Sequence, residues 1–72
     1  MTIDITTEYI KLDQLLKYAG IVGSGGNAKV IIQNEVVLLN GVRVTERGKK
    51  IRSGDLVIIG EQEIYVRWGN IS

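Results

Sequence analysis

Apolar residues fall along this chain in two rhythms, and the change from one to the other marks out its elements. Ile3, Ile5, Thr7 and Tyr9 alternate with Asp4, Thr6 and Glu8, the period of two that puts one face of a strand inward, which predicts a strand from Ile3 to Ile10. From Lys11 the spacing lengthens. Leu12, Leu15, Leu16 and Ala19 recur at i, i+3, i+4 and i+7, and Ala28, Ile31 and Ile32 do the same further on, so Lys11 to Asn34 reads as two short amphipathic helices. Between them Gly20, Gly23, Gly25 and Gly26 surround Ser24 and let the backbone reverse. Isolated helices shorter than about 12 residues are marginal in water, so the pair must pack on itself and on the strands.

After Asn34 the strand rhythm returns. Val36 to Leu39 is apolar on both faces, Asn40-Gly41 is a strong hairpin signal, and Val42 and Val44 resume alternation with Arg43 and Thr45 outward. Gly48 and the Ser53-Gly54-Asp55 turn punctuate a basic loop before an apolar strand from Leu56 to Ile59. Beyond a turn at Glu61 to Glu63, Ile64, Val66 and Trp68 alternate with Tyr65 and Arg67 in a last strand, with Trp68 expected in the sheet core. The expected fold is α+β: one domain, residues 1–72, with the helix pair packed on a small, strongly curved, mostly antiparallel sheet completed by the first and last strands.

Composition narrows the chemistry. A domain of 72 residues buries only about 60% of its unfolded surface, leaving little room for an enclosed active site. With no cysteine and no histidine, disulfides, thiolate zinc sites and the commonest acid–base residue are excluded. A hydrolase would have to use Ser24, Asp13 or Asp55 with a lysine base, and no spacing brings these together, so a non-enzyme without cofactor, metal or small-molecule substrate is expected. No apolar run approaches the roughly 20 residues of a membrane span, and a cytoplasmic protein, monomeric and away from membranes, is the expectation.

The net charge of +1 says nothing of an acidic partner, but its distribution does. Arg43, Arg47, Lys49, Lys50 and Arg52 fall within ten residues that hold one acid, Glu46, while acids gather toward the ends. The alternative reading is a solvated charged turn. Lys29 lies near the start of the second helix, where a cation disfavours the helix dipole; an external anion at the helix N-terminus accounts for it, as does plain solvation beside Gln33. The glycine loop does not match a phosphate-binding Walker loop, since Gly26 stands where lysine is needed and a helix rather than a strand precedes it. Lys11 caps the first helix poorly; with Gln14 and Tyr18 it forms a stripe off the apolar face, either ordinary surface or the flank of a groove. Asp13 and Lys17, four apart, read as a surface ion pair.

Laid out this way, the chain resembles the S4-like RNA-binding domain, and within it the small stand-alone bacterial S4-domain proteins of the YaaA and YbcJ type. The resemblance runs from Lys11 to about Ile59. Lys11-Leu12-Asp13 is similar to the family's opening Arg-Leu-Asp, Ser24 and Ala28-Lys29 fall at its Ser-Arg and Ala-Arg elements, and Val37 to Gly41 resembles its Val-x-Val-Asn-Gly strand end. Arg52-Ser53-Gly54-Asp55 matches its Lys-x-Gly-Asp turn, and Gly23-Ser24-Gly25-Gly26 with Arg47-Gly48-Lys49-Lys50 points to the small branch. Three positions depart. Gly25 replaces a frequent arginine, Glu35 replaces the glycine that usually ends the second helix, and Val36 and Leu38 are apolar where the hairpin is normally polar.

The resemblance implies a two-helix αL motif and a structured RNA ligand, ribosomal RNA or a ribosome-assembly particle. It places Lys11, Lys29, Arg43, Arg47, Lys49, Lys50 and Arg52 on phosphates, which give affinity and orientation without reading bases. Lys17 and Arg67 are left out. The competing expectation is a protein-interaction adaptor using Val36, Leu38, Tyr65 and Trp68, although Val36 and Leu38 are expected to be covered by the end strands.

Overall fold

The structure, a computed structural model describing residues 1–69, answers first where each strand finds a partner. The elements in order are β1 (Thr2–Ile5), β2 (Ile10–Lys11), α1 (Leu12–Tyr18), α2 (Gly25–Asn34), β3 (Val37–Leu39), β4 (Val42–Val44), β5 (Lys50–Ile51), β6 (Leu56–Ile59) and β7 (Gln62–Trp68). Five strands form a sheet in the order β1-β7-β6-β3-β4, and β2 pairs with β5 in a second, two-stranded sheet. All pairings are antiparallel except that of β1 with β7, which runs parallel with Thr2 opposite Tyr65 and Ile5 opposite Trp68. The α+β architecture is as expected.

The core lies between the helices and one face of the large sheet. Leu12, Leu15 and Leu16 from α1, Ala28 and Ile32 from α2, and Ile5, Val37, Val57, Ile59, Ile64 and Val66 from the sheet are buried in one cluster, to which β5 adds Ile51. The alternation of each strand delivers these residues to the same side. At the β3–β4 hairpin Asn40 has φ 51° and Gly41 φ 85°, both positive, as a two-residue type I′ turn demands. Asn40 then reaches across to the turn before β6: its Nδ2 donates to Asp55 Oδ1 (3.0 Å) and its Oδ1 accepts from the Leu56 N–H (2.9 Å).

Several expectations are corrected. The single strand from Ile3 to Ile10 is two strands, because β1 joins β7 in the large sheet while β2 joins β5 in the small one; the chain bends between them, with Thr7 Oγ1 donating to the Tyr9 carbonyl at 2.8 Å. The end of α2 needs no left-handed residue, since Glu35 leaves the helix in extended conformation (φ −114°, ψ 159°). Val36 and Leu38 are not covered by the end strands: β1 and β7 extend the same sheet sideways, and Val36 stays 52% exposed. Trp68 alternates with the core residues Ile64 and Val66, but it stands at the end of β7 and is 55% exposed. Asp13 and Lys17 form no ion pair among the described residues; Asp13 Oδ1 instead accepts from the Gln14 N–H at 2.8 Å.

Candidate nucleic-acid interface

The weak side-chain cap at Lys11 has a backbone explanation. No side chain caps α1; instead the Leu12 N–H donates to the Lys49 carbonyl (2.9 Å) and the Asp13 N–H to the Arg47 carbonyl (3.0 Å). Two otherwise orphaned donors at the start of the helix are thereby satisfied by the basic loop. The loop is fixed against the helix, and its side chains stay exposed.

Pairing of β2 with β5 sets Lys11 directly opposite Lys50 while Ile10 and Ile51 face inward. Like charges opposite one another across a strand pair are destabilising, so fold stability does not account for this pair. Lys50 Nζ lies 4.8 Å from the centroid of the Tyr9 ring, within cation–π range. A cleft of about 230 Å³ then joins the second helix to the loop, lined by Lys29, Ile32 and Gln33 from α2 and by Thr45, Glu46 and Arg47. A neighbouring cleft of about 190 Å³, along the edge of β4, brings Arg43 together with Lys49 across Thr45 and Glu46.

The seven expected cations are thus not equivalent. Lys29 and Arg47 share one cleft, Arg43 and Lys49 another, and Lys11 and Lys50 are cross-strand neighbours. Register sets Arg43 opposite Leu38, on the face away from the helices, so it meets Lys49 only around the strand edge. Arg52 lies 3.7 Å from Glu8 and is, among the described residues, the one of the seven in an ion pair. Its backbone N–H donates to Asp55 Oδ2 at 2.8 Å, which closes the turn after the loop.

At the start of α2, Ser24 is the N-cap, its Oγ accepting from the Asn27 N–H at 3.2 Å. No acidic residue occupies the first turn of this helix, so its positive end has no internal counter-charge. Arg67, which the sequence left out, is committed elsewhere: it makes two hydrogen bonds to Asp4 across β1 and β7, at 2.9 and 3.2 Å. That hydrogen bonding holds the Asp4 carboxyl below the usual carboxylate range and raises Arg67.

Sequence reading missed Tyr9, Thr45 and the Glu8–Arg52 pair. Alternation puts Thr45 and Glu8 on the polar side of their segments without saying what they meet, and the aromatic contact of Tyr9 becomes visible only once β2 is known to pair with β5. No buried polar or charged side chain occurs among the described residues, nor does any cluster of three or more potential metal ligands, and no helix among them is long and apolar enough to cross a membrane. What the arrangement offers is a set of accessible cations, those of the loop carried on a backbone tied to the start of α1.

The probable ribosome maturation protein RlbA of Bacillus subtilis (strain 168) is 44% identical over 57 residues, which cover 79% of this chain and 80% of that protein. The S4 domain pattern matches residues 3–67, a span that takes in both helices and both basic clefts, and the chain belongs to the S4 domain family.

Proposed function

We propose that this chain is a non-catalytic RNA-binding protein that holds structured RNA by its phosphates. The RNA is ribosomal RNA or a ribosome-assembly intermediate, and the setting is cytoplasmic, in keeping with the ribosome maturation role named for its Bacillus relative. Lys29 and the first turn of α2 take one phosphate run with Arg47, while Lys11, Lys49 and Lys50 take the next, and Arg43 and Arg52 lie at the margin. The observation that carries the reading is the convergence of Lys29 and Arg47, eighteen positions apart by their numbers, on a single cleft. Six cations gathered around the single acid Glu46 are suited to backbone recognition, which tracks shape rather than sequence.

The test is binding to structured RNA across a salt series. Five neutralised phosphates predict that affinity falls roughly 100- to 500-fold between about 50 and 200 mM salt. Lys49→Glu/Lys50→Glu and Lys29→Glu should each bind more weakly and with a shallower salt slope. Wild type that shows no salt-dependent binding overturns the reading, and attention then passes to the adaptor alternative on the opposite side of the sheet.

A further inference from the structure

The two sides of the five-stranded sheet are unequal. Helices bury Val37, Val57, Ile59, Ile64 and Val66 on one side. On the other, register sets Arg43 opposite Leu38, Leu38 opposite Ile58, and Ile58 opposite Glu63. A straight row therefore crosses β4, β3, β6 and β7 in the order cation, apolar, apolar, anion. Leu56 and Tyr65 pair beside it, and Val36 extends the β3 side. Leu38, Leu56 and Ile58 are only half-buried, and Val36 and Tyr65 are 52% and 45% exposed. A contiguous apolar patch rimmed by charge marks an interaction surface.

The order of the row decides its partner. A foreign surface of one sign would satisfy one end and oppose the other. A second copy, related by a two-fold axis lying along the strands between Leu38 and Ile58, turns the row end for end: Leu38 meets Ile58, and Arg43 meets Glu63, twice. Neighbouring strands are about 4.8 Å apart, so Arg43 and Glu63 each lie roughly 7 Å from this axis. Sheets packed about 10 Å apart and inclined by about 30° keep each pair within reach of extended side chains. A two-fold perpendicular to the strands sets Arg43 against Arg43 and Glu63 against Glu63, and is disfavoured. We infer that the chain pairs with a second copy of itself through this open sheet face.

The cleft of Lys29 and Arg47 is built from α2 and the basic loop and takes no part in the pairing. Arg43 is shared with the margin of the proposed RNA face, so Glu63→Arg, which lies outside that face, is the variant that tests pairing independently of RNA binding. A specific pairing needs about 500 Å² or more buried per partner, about a ninth of the 4572 Å² surface of the chain.

Sedimentation equilibrium between about 5 and 500 µM should show the mass of wild type doubling. Arg43→Glu and Glu63→Arg, both at exposed rim positions, each place like charges at both ends and should weaken pairing by about tenfold or more. Mixed in equal amounts, the two variants match opposite charges at both ends and should regain the dimer mass. Wild type that is monomeric throughout overturns the inference. Wild type that dimerises while the mixed variants do not overturns this axis and this face.

Discussion

Asn40 and Asp55 hold each other across the gap between the hairpin turn and the turn before β6, Asn40 Nδ2 donating to Asp55 Oδ1 at 3.0 Å. Asp55 also accepts from the Arg52 N–H through its second oxygen, and Asn40 accepts from the Leu56 N–H. One side-chain pair thus ties the β3–β4 hairpin to the end of the basic loop. Asn40→Asp tolerates the positive φ of the turn but sets two carboxylates together; a loss of about 1–2 kcal/mol in urea unfolding is expected. Asn40→Gly keeps the turn and loses only the hydrogen bonds, and should cost about 1 kcal/mol.

Lys11 stands opposite Lys50, an arrangement that works against the fold. Lys11→Glu replaces repulsion with attraction and should raise stability by about 0.2–1 kcal/mol, while weakening RNA binding and flattening its salt slope. Melting temperature and RNA affinity should move in opposite directions. A variant that loses both would show that Lys11 serves the fold instead.

The Asp4–Arg67 pair clasps β1 to β7 and carries a pH signature. Because hydrogen bonding to Arg67 lowers the Asp4 value when folded, its contribution is fully present above the unfolded carboxyl value of about 3.9. It is lost as pH falls through the lower folded value. Wild type should exceed Asp4→Asn in urea midpoint at neutral pH, and the gap should close at the acid end of the titration.

Leu16 is fully buried between the helices and the sheet. Leu16→Ala should cost about 2–5 kcal/mol, comparable with the whole stability of so small a core. Circular dichroism should show it largely unfolded, or recovering its helix only with added stabilising osmolyte.

Both helices and the hairpin were legible in the sequence, because Leu12, Leu15, Leu16, Ala28 and Ile32 follow the helical period and Asn40-Gly41 has few other conformations to adopt. The break between β1 and β2 was not legible, since the alternation from Ile3 to Tyr9 continues unbroken while the partner strand changes; long-range pairing, not local pattern, ends β1. Trp68 was misread for a related reason: alternation gives its face but not how far the helices reach along β7. For the candidate interface, the residue types in the loop were visible from charge alone. Their grouping depends on backbone bonds from Leu12 and Asp13 to loop carbonyls, to which no side-chain pattern points.

Parallel pairing of β1 with β7 joins the beginning of the described chain to its end, Thr2 lying opposite Tyr65. During synthesis β1 emerges before β7, its partner in the large sheet, and is without that partner until every element between them has been made. Such non-local closure raises contact order and slows folding relative to a helical domain of equal length. It also leaves an unpaired strand edge on the nascent chain in the interval. Closing the sheet therefore waits on the strand made last, which carries the partner of β1.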